Sequence, residues 1–188
     1  MRNSSYRFIK AYALYTTDYY TQSMGLILVY TGDGKGKTTA ALGLVLRAYG
    51  HGLRSIVAHV MKTLIYRGQW VGEYSALLKM SDLVEVYYMS EEALRTPRDV
   101  FNKAIERSIM IKPFLLVLDE VNNAVNGGLM TSREVIDGLR KLPNEVNVVL
   151  TGRNAPSEFL ELADLVTEFK PVKHYYDKGI VGVMGLEW

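Results

Sequence analysis

Cysteine is absent from all 188 residues, which rules out a disulfide framework, a thiolate metal site and a cysteine nucleophile. That composition is compatible with a reducing compartment. An excess of either charge is lacking too: 22 basic side chains against 20 acidic ones leave a formal net charge of +2, with no dense Lys/Arg block. A nucleic-acid-binding module carries a clearer basic stripe, so no nucleic acid partner is expected. No apolar run approaches the ~18 residues that cross a bilayer. The first segment, MRNSSYRFIKAYALYTTDYYTQS, lacks the continuous apolar core of a signal peptide. The expectation is a cytoplasmic protein with no membrane partner.

What is present is a globular composition, 48% hydrophobic and 22% charged, in a chain of ordinary single-domain size. Residues 1–23 read as an N-terminal extension, either a lid helix or a misassigned start before Met24, and 24–188 as one domain. Phe8, Tyr12, Tyr15 and Tyr19 of the extension fall near one helical face, a pattern that packing, a lid or a dimer contact would each produce.

The stretch from Gly25 to Gly43, GLILVYTGDGKGKTTAALG, carries the most information. Leu26 to Tyr30 has the length and branching of a buried strand. It breaks at Gly32-Asp33-Gly34-Lys35-Gly36 and gives way to the helix-forming Lys37-Thr38-Thr39-Ala40-Ala41. Strand, glycine-rich turn and a helix opening on Lys-Thr is the context of a phosphate-binding P-loop, although Thr31 stands where that pattern has its first glycine. Glycines let backbone N–H groups turn around phosphate oxygens, and the helix N-terminus adds free donors. Lys37 supplies a full charge and Thr38 a hydroxyl able to reach a magnesium ion. A nucleoside triphosphate is the expected ligand, held by residues 32–39.

Further strands are expected at 55–61, 83–87, 114–118, 146–150 and 165–169. Helices are expected at 37–50, 98–111 (ended by Pro113), around Val135 to Leu139 with Ser132 as cap, and 156–163. Alternating strands and helices, several strands being apolar on both faces, predict an α/β, RecA-like P-loop fold: a mostly parallel sheet with helices on both faces. Ligands then lie at the carboxyl ends of the strands. Asp119 and Glu120 follow the strand FLLVL and read as the acidic element that holds a P-loop magnesium, or else as a surface carboxylate pair. Arg153 follows VNVVL and reads equally as a phosphate clamp or a structural ion-pair residue. His174, beside tyrosines, reads first as a packed or exposed residue and only second as a ligand contact.

TGDGKGKTTAALG followed in order by RAYGHG, VLDE, LTGRNAP, ADLVTE, KPVKH and MGLEW resembles the P-loop corrinoid adenosyltransferases. The resemblance runs from about Gly25 to Trp188. It implies attack of the Co(I) of a reduced corrinoid, cob(I)alamin or cobinamide, on the 5′ carbon of ATP, with release of triphosphate. It also implies Gly32 to Thr39 at the ATP, Lys37 as the catalytic cation, and Thr38 with Glu120 on magnesium or manganese. A flavoprotein reductant and a homodimer are expected on the same ground. Members commonly carry an aromatic G-F-T-W-like segment against the corrin; here that region is Val84 to Ser90, VEVYYMS, which offers Tyr87 and Tyr88 but no tryptophan. The competing expectation is a RecA-like ATPase that drives a macromolecular partner, which would add a basic strip and a residue placed to activate water. Neither is visible.

Overall fold

In the computed structural model of the chain, residues 24–90 and 93–188 are described. The expected N-terminal extension and its aromatic stripe lie outside these residues. Six parallel strands form the central sheet: β1 (Ile27–Thr31), β2 (Ser55–His59), β5 (Val84–Tyr88), β6 (Leu115–Asp119), β7 (Asn147–Thr151) and β8 (Leu165–Glu168). Their order is β5-β2-β6-β7-β1-β8, so β7 separates the P-loop strand from the strand that ends in acid.

Sequence chemistry sorts these strands. SIVAH and LLVLD are buried at every position and take central places, as continuous apolar runs require. LVTE is exposed throughout and takes an edge. Alternation along each strand then builds two cores. Leu116 and Leu118 of β6 pack with Val100 and Phe101 of α3 (Pro97–Ile111) and with Phe159 of α6 (Ser157–Leu162). Leu115 and Val117 face the other way, toward Ala41 and Val45 of α1 (Lys37–Gly50) and Leu77 of α2 (Gly72–Leu78). The parallel sheet with helices on both faces is thus as expected from sequence.

Several boundaries move. Phe114 stays outside β6 and is exposed, while Asp119 becomes that strand's last residue. The cap of α5 (Ser132–Leu139) is Thr131, not Ser132: Thr131 accepts from the Glu134 N–H, and the Glu134 carboxylate accepts from the Thr131 N–H. Thr96 and Asp99 form the same reciprocal cap on α3, with Pro97 in its first turn. A two-stranded hairpin, β3 (Ile65–Tyr66) and β4 (Gln69–Trp70), leads into α2, and a short helix α4 (Val121–Asn126) follows the acidic pair. The sequence reading assigned none of these three.

Candidate active site

β1 ends at Thr31 and the chain turns through residues 32–36 before α1 begins. Gly32 (φ +93°) and Gly36 (φ +115°) lie in the left-handed region that side chains disfavour. The loop is also pressed against the chain that leaves β8. A Cβ on Gly34 would sit 2.7 Å from the backbone of Phe169, whose carbonyl accepts the Gly34 N–H at 2.7 Å. Lys37 Nζ donates to the carbonyls of Gly32 (2.6 Å) and Gly34 (2.8 Å), which holds the ammonium across the loop. Burial, then the charge of Arg153, lowers the Lys37 pKa from its ordinary value.

The register of β2, β6 and β7 brings a second group to the same edge. Asp119 is fully buried and saturated with partners. Its Oδ1 accepts from the hydroxyls of Thr151 (2.7 Å) and Thr38 (2.9 Å), and its Oδ2 from His59 Nδ1 (2.9 Å). Burial opposes ionisation of Asp119, but the His59 hydrogen bond and the Lys62 charge hold its carboxyl well below the ordinary range. Lys62 Nζ lies 3.0 Å from Asp119 Oδ2, 2.8 Å from Thr38 Oγ1 and 3.7 Å from Glu120 Oε1. Burial works against the Lys62 charge, yet the two carboxylates raise its pKa overall. Glu120 follows with left-handed backbone (φ 64°), anchored by its N–H to Thr151 Oγ1 at 2.9 Å. Its pKa is raised, by burial first.

These donors suit a hard divalent cation. Thr38, Asp119 and Glu120 offer only hydroxyl and carboxylate oxygens, and one cationic atom, Lys62 Nζ, already sits among them. Among the described residues no group of three or more His, Cys, Asp or Glu side chains converges to form a full cage.

Both groups open on a cavity of about 1180 Å³. Asp33 to Thr39, Glu120, Arg153 and His174 all reach its wall; Gly32, Asp119, Tyr87 and Tyr88 do not. Arg153 is exposed, with its Nε 3.8 Å from Asp33 Oδ1. His174 caps a 3-10 turn (Tyr175–Lys178) by accepting the Tyr176 N–H, so its Nδ1 has a structural partner. Lys35 Nζ donates to the Leu186 carbonyl across the cavity wall at 2.5 Å. Tyr87 donates to Glu85, which is also gripped by Arg107. Tyr88 meets Tyr74 edge-on, and Tyr74 stacks on Trp70, 5.1 Å between ring centroids. Trp188, at the cavity wall, packs against Tyr66 of the hairpin.

Sequence reasoning missed Lys62 and His59. The signal for Lys62 was its position three residues beyond β2, on the ligand edge. Of the tail it named His174 and the motifs KPVKH and MGLEW but not the contact with Lys35, which joins residues 151 positions apart.

The family described as ATP:corrinoid adenosyltransferase BtuR/CobO/CobP matches residues 23–188. The chain belongs to this family. Relatives of this adenosyltransferase-family chain include the corrinoid adenosyltransferase of Escherichia coli, 33% identical over 174 residues that span 87% of this chain and 86% of the relative. The corrinoid adenosyltransferase CobA of Salmonella typhimurium is 34% identical over 177 residues, 89% of this chain and 87% of the relative. Among solved structures, a KaiC-like protein from Pyrococcus horikoshii matches with a TM-score of 0.51 at 15% identity, covering 80% of this chain and 74% of that one. At that identity the likeness speaks for the RecA-like fold alone.

Proposed function

We propose that this protein transfers the 5′-deoxyadenosyl group of ATP to the Co(I) of a reduced corrinoid, cob(I)alamin or cobinamide, in adenosylcobalamin synthesis or salvage. The observation that carries this reading is the joint opening of the Lys37 loop and the Thr38–Glu120 oxygens on one cavity of about 1180 Å³. That volume exceeds the ~300–1,000 Å³ usual for a single small-molecule ligand.

In the step proposed, the cobalt lone pair attacks C5′ and forms the Co–C bond. The C5′–O bond breaks and its electron pair leaves on triphosphate, while cobalt is formally oxidised from Co(I) to Co(III). No proton moves, so no general base is needed. Charge grows on the leaving oxygens, where the Lys37 ammonium and the N–H groups of residues 32–39, apart from that of Gly34, which is spent on the Phe169 carbonyl, would stabilise it. Magnesium or manganese, held by Thr38 and Glu120, would supply further charge neutralisation there. Asp119 acts from behind, orienting Thr38.

For the corrin, we assign the apolar surface beside the cavity, where Ile65, Trp70, Met184 and Leu186 are all more than half exposed. Trp70 would then supply the aromatic face that VEVYYMS lacks. A flavoprotein reductant, a homodimer and a cytoplasmic location complete the proposal by analogy with the family. Among the described residues no helix is long and apolar enough to cross a membrane. Anaerobic incubation of the protein with ATP and chemically reduced cobalamin tests it: the spectrum of adenosylcobalamin is expected, and an unchanged cob(I)alamin spectrum alongside ADP formation would favour an ATPase.

A further inference from the structure

Lys62 has no part in the reaction described above, yet its ammonium lies inside the oxygen group assigned to the metal. Its Nζ donates to Thr38 Oγ1 (2.8 Å), is paired with Asp119 Oδ2 (3.0 Å) and lies 3.7 Å from Glu120 Oε1. A magnesium ion takes such oxygens at about 2.0–2.1 Å. Two cations cannot share so small a set of donors, because their mutual repulsion at that range is not screened by solvent. The hydroxyl proton of Thr38 is committed to Asp119 Oδ1, and Lys62 takes up one of the two acceptor positions on Thr38 Oγ1, so the ammonium stands beside the oxygen a metal would use.

We propose that Lys62, anchored on Asp119, is a built-in counter-cation that competes with the divalent metal for Thr38 and Glu120, and that it hands the site over when triphosphate arrives.

The handover has a physical route. Lys62 is carried on the loop after β2, its side chain is 28% exposed, and it lines the same cavity as the P-loop. Four flexible methylenes let the ammonium leave the carboxylates without moving the strand. In the cavity a bound triphosphate offers the displaced charge a new partner. Without triphosphate, the metal must expel Lys62 into solvent and binds weakly; with it, the expelled ammonium is re-paired. Lys62 therefore couples metal binding to triphosphate binding, and by linkage the coupling is the same in both directions. Metal occupancy becomes conditional on nucleotide. The inference rests on Thr38 and Glu120 being the metal ligands.

The test measures Mn²⁺ binding by electron paramagnetic resonance, with and without tripolyphosphate, in wild type, Lys62→Met, Lys62→Gln and Glu120→Gln. Without tripolyphosphate, Lys62→Met is expected to bind Mn²⁺ on the order of 10-fold more tightly than wild type, the equivalent of one charge-assisted hydrogen bond removed from competition. The factor by which tripolyphosphate tightens Mn²⁺ binding is expected to shrink in the same variant. Lys62→Gln keeps a hydrogen-bonding side chain without the charge and is expected to follow Lys62→Met, which guards against misfolding of the apolar variant. Equal or weaker Mn²⁺ binding in folded Lys62→Met and Lys62→Gln, with wild type still binding Mn²⁺ through Glu120 when tripolyphosphate is present, overturns the inference and leaves the metal site standing. Mn²⁺ binding that Glu120→Gln does not weaken overturns the metal assignment, and this inference with it.

Discussion

Asp119 and Glu120 are neighbours with opposite environments, and this decides their roles. Asp119 is sealed among Thr38, Thr151, His59 and Lys62, whereas Glu120 turns outward through its left-handed backbone and lines the cavity. The sequence showed an acidic pair in the right place but not this division, because burial of Asp119 depends on β2 with the loop after it, β7 and the first turn of α1 meeting over it. Asp119→Asn is therefore expected to cost stability, about 1–3 kcal/mol, as a charged partner is withdrawn from buried donors. The sign of its pH dependence follows from a depressed folded-state pKa. The wild-type advantage is present above the unfolded carboxyl value of about 3.9 and is lost as pH falls toward the folded value. Chemical denaturation from pH 7 to pH 3 should show the gap between wild type and Asp119→Asn narrowing below about pH 4; a gap that widens on acidification contradicts the ion pairing. Lys37 belongs to the opposite class, at the first residue of α1 and outside both cores. Lys37→Ala should reduce turnover on the order of 10²-fold or more while leaving the melting temperature nearly unchanged. Wild-type turnover in the folded variant would remove Lys37 from the leaving-group contact.

At the scale of elements, the strands were legible because their chemistry is local. SIVAH, LLVLD and NVVLT are apolar enough on both faces to demand the middle of a sheet, and the P-loop fixes where α1 begins. The hairpin and α2 were not legible. Residues 65–78 mix Gly68, Gly72, Arg67 and Trp70 with no clear period, and their order comes from ring contacts across the chain: Tyr66 with Trp188, and Tyr74 with both Trp70 and Tyr88. Nor does sequence reveal that Gly138 lets α5 approach α3, where an added Cβ would meet the Phe101 ring at 2.5 Å. The hairpin also carries the proposed corrin surface. Trp70→Ala should raise the corrinoid KM several-fold, about the worth of one aromatic stacking contact, with the ATP KM unchanged. Steady-state kinetics with each substrate varied in turn check this; a rise in the ATP KM alone would place Trp70 elsewhere in the cycle.

Across the described residues, the carboxyl edge of the parallel sheet gathers residues from the ends of β1, β2, β6 and β7 and is closed on one side by the C-terminal tail. The strands, the helices and the phosphate loop could be read from sequence because each is specified by its own run of consecutive residues. The cavity wall could not, since it depends on Leu186 reaching Lys35 and Phe169 backing Gly34. What separates an adenosyltransferase from the many ATPases of this architecture is the bond that breaks, carbon–oxygen at C5′ rather than phosphorus–oxygen. Phosphorus NMR of the anaerobic reaction with reduced corrinoid measures this directly. The account predicts intact inorganic triphosphate in one-to-one ratio with adenosylated corrinoid; ADP with orthophosphate, or AMP with pyrophosphate, as the primary product would contradict it.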